Sequence, residues 1–161
     1  MTPTNIPPET LQRFCVACFR KLGVQPDQAE LTAANLVFGN LRGVDSHGVI
    51  RLKIYCDRLK AGGFRADAVP QVISDQESTA LIDGQGGLGQ VTAMRAMNLA
   101  LQKAEKTGAG FVATRNSNHF GAGAFYAIKG VGAGLIGLAV ANAGAISVAT
   151  GDKAIVVDPV Q

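Results

Sequence analysis

The feature of this chain that most limits its fold is a change in hydrophobic pattern near Pro70. Before that residue, apolar side chains recur every three or four positions, the spacing that places them along one side of a helix. After it, short apolar runs bounded by glycine alternate with a long helical pattern, as in strands joined by a helix. The sequence therefore predicts a helical N-terminal unit over residues 1–68 and an α/β unit over residues 69–161.

Three helices are expected in the first unit. Thr10 is a candidate cap for the first helix, which ends at Gly23. The second helix begins at Pro26 and is apolar on more than one face, which is typical of a helix buried between others. Apolar residues between positions 50 and 59 indicate a third helix, closed by Gly62.

The second unit is expected to alternate strands with helices. A long helix is predicted over 91–106 and a short one around Tyr126. Strands are predicted at 72–74, 79–84, 111–114, 135–140 and 154–157.

The composition excludes several classes of protein. A hydrophobic fraction of 47% and a charged fraction of 17% indicate a globular chain. The net charge is +3 and the basic residues are scattered, so we expect no nucleic-acid partner. The apolar stretch over 131–149 contains many small residues and predicts a buried strand with flanking loops, with no membrane span. We therefore expect a cytoplasmic protein.

The three cysteines predict neither a disulfide framework nor a metal site. Cys15 and Cys18 have CxxC spacing, which can serve redox chemistry or hold a metal. They lie in an apolar helical pattern without a second CxxC or a nearby histidine, and Cys56 stands alone. The interpretation we favour is small apolar side chains on a buried helix face, with no metal.

The first polar motif, RGVDSHGVIR, covers residues 42–51 between two apolar helices. His47 stands beside Ser46 and four residues before Arg51, a combination that can bind a carboxylate and move a proton. The alternative is a purely structural turn in which Asp45 or Ser46 caps the following helix.

The second polar motif, RNSNHFGAG, covers residues 115–123 directly after a predicted strand. Polar side chains at the carboxyl end of a strand lie where α/β proteins bind ligands. His119 is one of two histidines in the chain, and both fall in glycine-bounded polar loops. The alternative is an ordinary turn with an exposed histidine.

A glycine-rich loop over residues 84–90 satisfies GxGxxG between a strand and a helix. A Rossmann dinucleotide site would also have an acidic residue at the end of the next strand, where this chain has Arg115. The interpretation we favour is a glycine turn that lets the helix pack closely against a strand.

Taken together, LRGVDSHGVIR at 41–51, GLGQ at 87–90 and NSNHFG at 116–121 resemble the type 2 malate/L-lactate dehydrogenase family. The family also includes ureidoglycolate, sulfolactate and diketogulonate-type oxidoreductases. The resemblance implies an α/β fold with a helical unit beside a non-Rossmann sheet, a homodimer, and an active site near the subunit interface.

The resemblance also implies roles for five residues. His47 matches the histidine that exchanges a proton at the substrate carbonyl, and Ser46 stands beside it in the pocket. Arg51 matches a ligand of the substrate carboxylate, with Tyr55 one turn further along the helix. His119 matches the second motif histidine, which has the acid/base role in some members of the family.

For the cofactor, the resemblance implies NAD or NADP, with contacts at Asn118, Gly121 and Asn142. The chemistry would interconvert a small 2-hydroxy acid and the corresponding 2-keto acid.

Members of the family are about twice as long as this chain, so the resemblance covers the N-terminal half of the fold, with residues 69–161 as an incomplete cofactor-binding unit. We therefore expect a truncated form of the fold, with or without activity. The alternative is a non-catalytic binding or dimerisation module derived from that fold.

Overall fold

The computed structural model of the chain describes residues 5–142, which contain five α-helices and three strands. The helices are α1 (Pro8–Lys21), α2 (Pro26–Leu41), α3 (Leu52–Lys60), α4 (Gly89–Thr107) and α5 (Ala124–Gly132), and the strands are β1 (Gln71–Asp75), β2 (Thr79–Asp83) and β3 (Phe111–Arg115).

Helix α1 begins two residues before the predicted cap. Pro8 is its first residue and Pro7 occupies the cap position, whereas the backbone N–H of Thr10 donates to the carbonyl of Pro7 at 3.0 Å. Proline suits the first helical position because its φ is already helical and its missing N–H would have had no partner there. The prediction that Thr10 caps the helix is therefore wrong.

A core between α1, α2 and α3 is built from apolar side chains on facing surfaces. Helix α2 is buried on several sides, as predicted, and packs most closely on α1. The fully buried members of the core are Cys15, Phe19, Ala29, Ala33, Leu36 and Tyr55.

The cysteines of residues 5–142 are free. Cys15 belongs to the core, where burial raises the pKa of its thiol to about 11. A thiol with so high a pKa is a poor nucleophile and a poor metal ligand near neutral pH. These properties agree with a packing role for Cys15, and Cys18 packs against the same core as a partly buried side chain.

The three strands form one mixed sheet in the order β1-β2-β3. Strand β1 is antiparallel to β2, and β2 is parallel to β3 because α4 carries the chain back across the sheet. The parallel register pairs Asp83 with Arg115, so both strands end at the same edge. The expectation of an α/β fold with a non-Rossmann sheet is confirmed.

The space beside the glycine-rich loop between β2 and α4 is occupied by backbone atoms of the loop that follows β3. A Cβ atom at Gly89 would overlap the backbone carbonyl oxygens of Asn118 and His119, and one at Gly84 would come within 2.8 Å of the carbonyl oxygen of Asn116. The interpretation favoured from the sequence was close packing of the helix against a strand, whereas the glycines allow close packing against the loop that follows β3.

Buried polar side chains of α2 hold this helix against later segments of the chain. Gln28 donates through Nε2 to the carbonyl of Ala68 at 3.1 Å. Asn35 is fully buried, donates through Nδ2 to the hydroxyl of Tyr126 at 3.2 Å, and accepts the backbone N–H of Ala122 at 3.3 Å. Because buried amides are costly to leave unpaired, these bonds fix α2 against the start of α5.

The strand predicted at 135–140 is absent, and this prediction is wrong. The segment has no regular secondary structure, and its side chains alternate between partly buried and exposed positions. Such a segment becomes a strand only when a neighbour supplies ladder hydrogen bonds, and no strand of the described residues pairs with it. The strand predicted at 154–157 lies outside the described residues.

Candidate functional site

The first polar motif folds into two single 3₁₀ turns, Asp45–His47 and Val49–Arg51, between α2 and α3. Asn40, in the last turn of α2, donates to Asp45 Oδ1 at 2.5 Å and accepts the backbone N–H of Val49 at 2.8 Å. A Cβ atom at Gly48 would come within 2.7 Å of the side-chain amide nitrogen of Asn40. The motif is thus held in shape by Asn40, and neither Asp45 nor Ser46 caps a helix.

Ser46, His47 and Arg51 form one connected group in this segment. Ser46 Oγ lies 2.9 Å from His47 Nδ1, and Arg51 donates through Nε to the carbonyl of Ser46 at 2.6 Å. Within residues 5–142 the terminal amino groups of Arg51 have no hydrogen bond to the protein. Those two groups are the ones that bind a carboxylate in the bidentate manner.

At the carboxyl edge of the parallel strands, Asp83 organises the second polar motif. It is buried and accepts hydrogen bonds from the Gln85 backbone N–H at 2.9 Å, Arg115 Nε at 2.9 Å and Asn116 Nδ2 at 2.8 Å. The Gln85 backbone bond, with further contributions from Arg115 and Asn116, holds the pKa of Asp83 below its usual value. The carboxylate also stabilises two left-handed residues, Gln85 at φ 54° and Asn116 at φ 47°.

His119, in the loop after β3, is held by a side chain of α3 and by the backbone of its own loop. The Tyr55 hydroxyl lies 2.6 Å from His119 Nδ1, and the backbone N–H of Gly121 donates to the same nitrogen at 3.2 Å. Gln90, in the first turn of α4, donates through Nε2 to the Tyr55 hydroxyl at 3.0 Å. A row of hydrogen bonds therefore runs from α4 through α3 to the loop after β3.

The electrostatic surroundings favour an uncharged form of both rings in this row. Burial, and after it the positive charges of Arg51, His47 and Arg58, lower the pKa of His119 below its ordinary value. Burial raises the pKa of the Tyr55 hydroxyl. Near neutral pH, His119 is a neutral imidazole and Tyr55 a neutral phenol.

The two motifs meet at the two histidines. The rings of His47 and His119 are stacked with their centroids 5.4 Å apart and an interplanar angle of 26°. Both rings are half-buried, and Tyr55 beneath them is 1% exposed. The structure thus brings together Ser46, His47, Arg51, Tyr55 and His119.

The three residues expected to contact the cofactor lie in different surroundings. Asn118 donates through Nδ2 to the carbonyls of Gly86 and Gly87, at 3.0 and 2.8 Å, and so ties the two loops together. Gly121 is buried with φ +75° and leaves no space for a side chain beside Asn35. Asn142 is exposed, and no hydrogen bond of residues 5–142 joins it to the histidines.

Three residues that hold the site were given no role in it by the sequence analysis. Asn40, Asp83 and Gln90 are single polar residues at the ends of helices and strands, where polar side chains are common. Asn40 and Asp83 each lie close to one of the glycine-bounded motifs, and Gln90 is the last residue of GLGQ at 87–90.

Two classes of site are not found in the part of the chain that the structure describes. No three or more His, Cys, Asp or Glu side chains of residues 5–142 are grouped so that they could hold a metal ion. None of the helices in this range is long and apolar enough to cross a membrane.

The sequence matches the family model described as malate/L-lactate dehydrogenase over residues 6–157. The malate dehydrogenase of Pyrococcus horikoshii is 44% identical over 147 residues, which cover 91% of this chain and 41% of that protein. The L-sulfolactate dehydrogenase of Methanocaldococcus jannaschii is 37% identical over 135 residues, covering 84% of this chain and 39% of that protein. The chain thus spans about two-fifths of the length of these curated relatives.

Comparison with solved structures also finds a malate dehydrogenase, of which this chain again covers about two-fifths. The structure of the malate dehydrogenase from Pyrococcus horikoshii OT3 superimposes with a TM-score of 0.79 at 46% identity, over 81% of this chain and 38% of that chain. The similarity therefore extends over most of the described residues.

Proposed function

Because the chain belongs to the malate/L-lactate dehydrogenase family, we propose that its histidine site takes part in interconverting a 2-hydroxy acid and a 2-keto acid with NAD or NADP. The observation that carries the proposal is the stacking of His47 on His119, at 5.4 Å between ring centroids, close to Arg51. At this point the motifs at 42–51 and 115–123, which are far apart in sequence, combine histidines that can carry a proton with an arginine that can bind a carboxylate.

In the reducing direction, the balanced reaction consumes a 2-keto acid, NAD(P)H and one proton and yields a 2-hydroxy acid and NAD(P)⁺. The bound nicotinamide supplies the hydride for the carbonyl carbon. We assign to His47 the proton for the carbonyl oxygen, with Ser46 Oγ at 2.9 Å orienting its ring. Arg51 holds the substrate carboxylate through its terminal amino groups, and its Nε is fixed by the carbonyl of Ser46.

The described residues fit the nicotinamide end of the cofactor. Asn118 uses its side-chain NH₂ group on the carbonyls of Gly86 and Gly87, which leaves its side-chain oxygen to accept from a carboxamide. The backbone around Gly121 is close to His119. The glycine-rich loop does not fit a diphosphate, because the carbonyls of residues 118 and 119 fill the space before α4.

Further parts of the proposal are a contact of Asn142 with the cofactor, a homodimer and a cytoplasmic location. The homodimer is supported by exposed apolar side chains at 136–140. The location is supported by the three free cysteines, which are typical of a reducing compartment.

The test combines nucleotide binding with the kinetics of two variants. Purified chain is titrated with NADH and NADPH by fluorescence and then assayed with a panel of 2-keto acids. His47→Ala should lower kcat by roughly 10²–10⁴-fold with a smaller change in KM, because a general acid acts in the transition state. Arg51→Lys should mainly raise KM, since a point charge does not replace a bidentate clamp.

The matched control is Lys53→Ala at the start of α3, two residues after Arg51, whose exposed side chain pairs only with Asp57 among the described residues and should leave both constants unchanged. Binding of neither nucleotide at millimolar concentration would contradict the proposal and favour a non-catalytic binding or dimerisation module.

A further inference from the structure

The Nδ1 atom of His119 lies within hydrogen-bond distance of two groups. The backbone N–H of Gly121 approaches it at 3.2 Å, and the hydroxyl of Tyr55 at 2.6 Å. The backbone group can only donate, so Nδ1 must accept and carries no proton. A protonated Nδ1 would direct its N–H at the N–H of Gly121.

The N–H of Gly121 therefore also determines which groups donate and which accept in the hydrogen bonds between His119, Tyr55 and Gln90. Because Nδ1 has no proton to give, the short contact with Tyr55 requires that the hydroxyl donates to the ring. The hydroxyl oxygen is then free to accept, and Gln90 supplies Nε2–H at 3.0 Å. The direction of donation is Gln90 to Tyr55 to His119.

We propose that Gln90 is a positioning residue that, through the Tyr55 hydroxyl, holds His119 as the neutral tautomer with its proton on Nε2. The inference deepens the proposed function and rests on it for its consequence. A neutral His119 presents Nε2–H as a hydrogen-bond donor to the substrate oxygen, whereas loss of that proton would leave an anionic imidazolate. This role for His119 is consistent with the assignment of the transferred proton to His47 in the proposed function.

The surroundings of Gln90 agree with an orienting role. The side chain is fully buried, yet its Oε1 has no hydrogen-bond partner among the described residues. Rotating the amide would place Oε1 against the Tyr55 hydroxyl, which would then donate to Gln90 and would need a proton on His119 Nδ1. The N–H of Gly121 excludes that arrangement. Burial and neighbouring positive charges also lower the pKa of His119, which favours the neutral ring.

The test reads the ring nitrogens directly by long-range ¹H–¹⁵N correlation on the full chain without nucleotide or keto acid. Protonated and unprotonated imidazole nitrogens resonate in separate ranges, and the chain has two histidines. A His47→Gln variant leaves His119 alone and assigns its signals. Near neutral pH, His119 should show an unprotonated Nδ1 and a protonated Nε2.

Three variants test the row of hydrogen bonds. Tyr55→Phe and Gln90→Met each remove support for the acceptor state of Nδ1 and should shift the tautomer ratio toward Nδ1–H by about fivefold, the value of one hydrogen bond. Gln90→Glu replaces the donor by an acceptor and should shift the ratio further and raise the pKa of His119. The control is Thr92→Val, which removes a buried hydroxyl of α4 that has no partner among the described residues, and should leave the signals unchanged.

A wild-type ring with its proton on Nδ1 would overturn the proposal, as would Gln90→Met and Tyr55→Phe spectra identical to the wild type. The spectra need neither cofactor nor activity. If NAD(P)H binding fails while the tautomer is as stated, the proposed function is wrong and the positioning of His119 by Gln90 stands. If the tautomer differs while NADH or NADPH binds, the positioning role is wrong and the dehydrogenase proposal stands.

Discussion

At the residue scale, the half-buried ring of His119 makes stability depend on pH. Its pKa is below the ordinary value of 6.5 because of burial and the charges of Arg51, His47 and Arg58. The unfolded chain then binds a proton more readily than the folded chain, so the free energy of unfolding increases with pH in this range. We expect stability to be lost as the pH falls from about 6.5 through the lower folded pKa.

Urea denaturation between pH 8 and pH 5 measures this loss. The His119→Gln variant should have a flatter profile, whereas His47→Gln keeps His119 and its burial, the largest cause of the lowered pKa, and should retain most of the slope. Asp83 titrates in a separate window, because its lowered pKa contributes stability above 3.8 that is lost only in stronger acid. Equal slopes for the wild type and His119→Gln would contradict the expectation.

The polar side chains that the structure brings together were easier to single out in the sequence than the residues that hold them in place. His47, Arg51 and His119 stand in polar motifs bounded by glycine, and such motifs are recognisable without a structure. The supporting roles of Gln90 and Asp83 are recognisable only from their partners, Tyr55 and the loop after β3, which lie far away in sequence. Pairing at long range is a property of the fold, and a local pattern does not contain it.

At the element scale, the packing of α4 against the loop after β3 depends on a missing side chain. A Cβ atom at Gly89 would overlap the carbonyls of Asn118 and His119, whereas one at Gly132, also within a helix, would meet nothing within 4 Å. Gly89→Ala should therefore destabilise the chain by roughly 1–3 kcal/mol, the usual cost of overpacking. Gly132→Ala should stabilise it by up to about 1 kcal/mol, because alanine is the better helix former.

Thermal or urea unfolding of both variants decides this, since they carry the same substitution and differ only in their surroundings. Similar effects of the same sign would show that α4 and the loop are not in the close contact described.

The elements themselves could be predicted where the pattern is local. Helices α2 and α4 follow from apolar periodicity: α2 begins at Pro26 as expected, and the observed bounds of α4 lie within two residues of the expected ones. The segment 135–140 has the apolar composition of a strand, but a strand also needs a neighbour to share hydrogen bonds. The apolar composition of a segment indicates that its side chains tend to be buried, but it does not indicate whether a neighbouring strand is present to pair with it.

At the scale of the whole molecule, the site lies where the helices meet the sheet. Asn35 of α2 binds Ala122 and Tyr126. The division into 1–68 and 69–161 remains a proposal, and these buried bonds favour two parts that fold as one unit. Cooperative unfolding would then disrupt the approach of His47 to His119 in a single step.

The exposed apolar side chains at 136–140 lead to the last prediction, which concerns association. Ile136, Leu138 and Val140 are 100%, 76% and 82% exposed, and alternate positions of an extended segment place them on the same side. Apolar area of this kind gains roughly 25 cal/mol per Å² when it is covered, so a second copy of the chain should cover it at high concentration.

Light scattering across a concentration series should show a dimer or a larger species. The double variant Ile136→Ser, Leu138→Ser should shift it toward monomer without lowering Tm, because neither side chain belongs to the core. Lys129→Ser, an exposed polar change on the neighbouring helix α5, is the control and should leave association as it is. A wild-type chain that stays monomeric at high concentration, or a double variant that associates as strongly as the wild type, would exclude this segment as the interface.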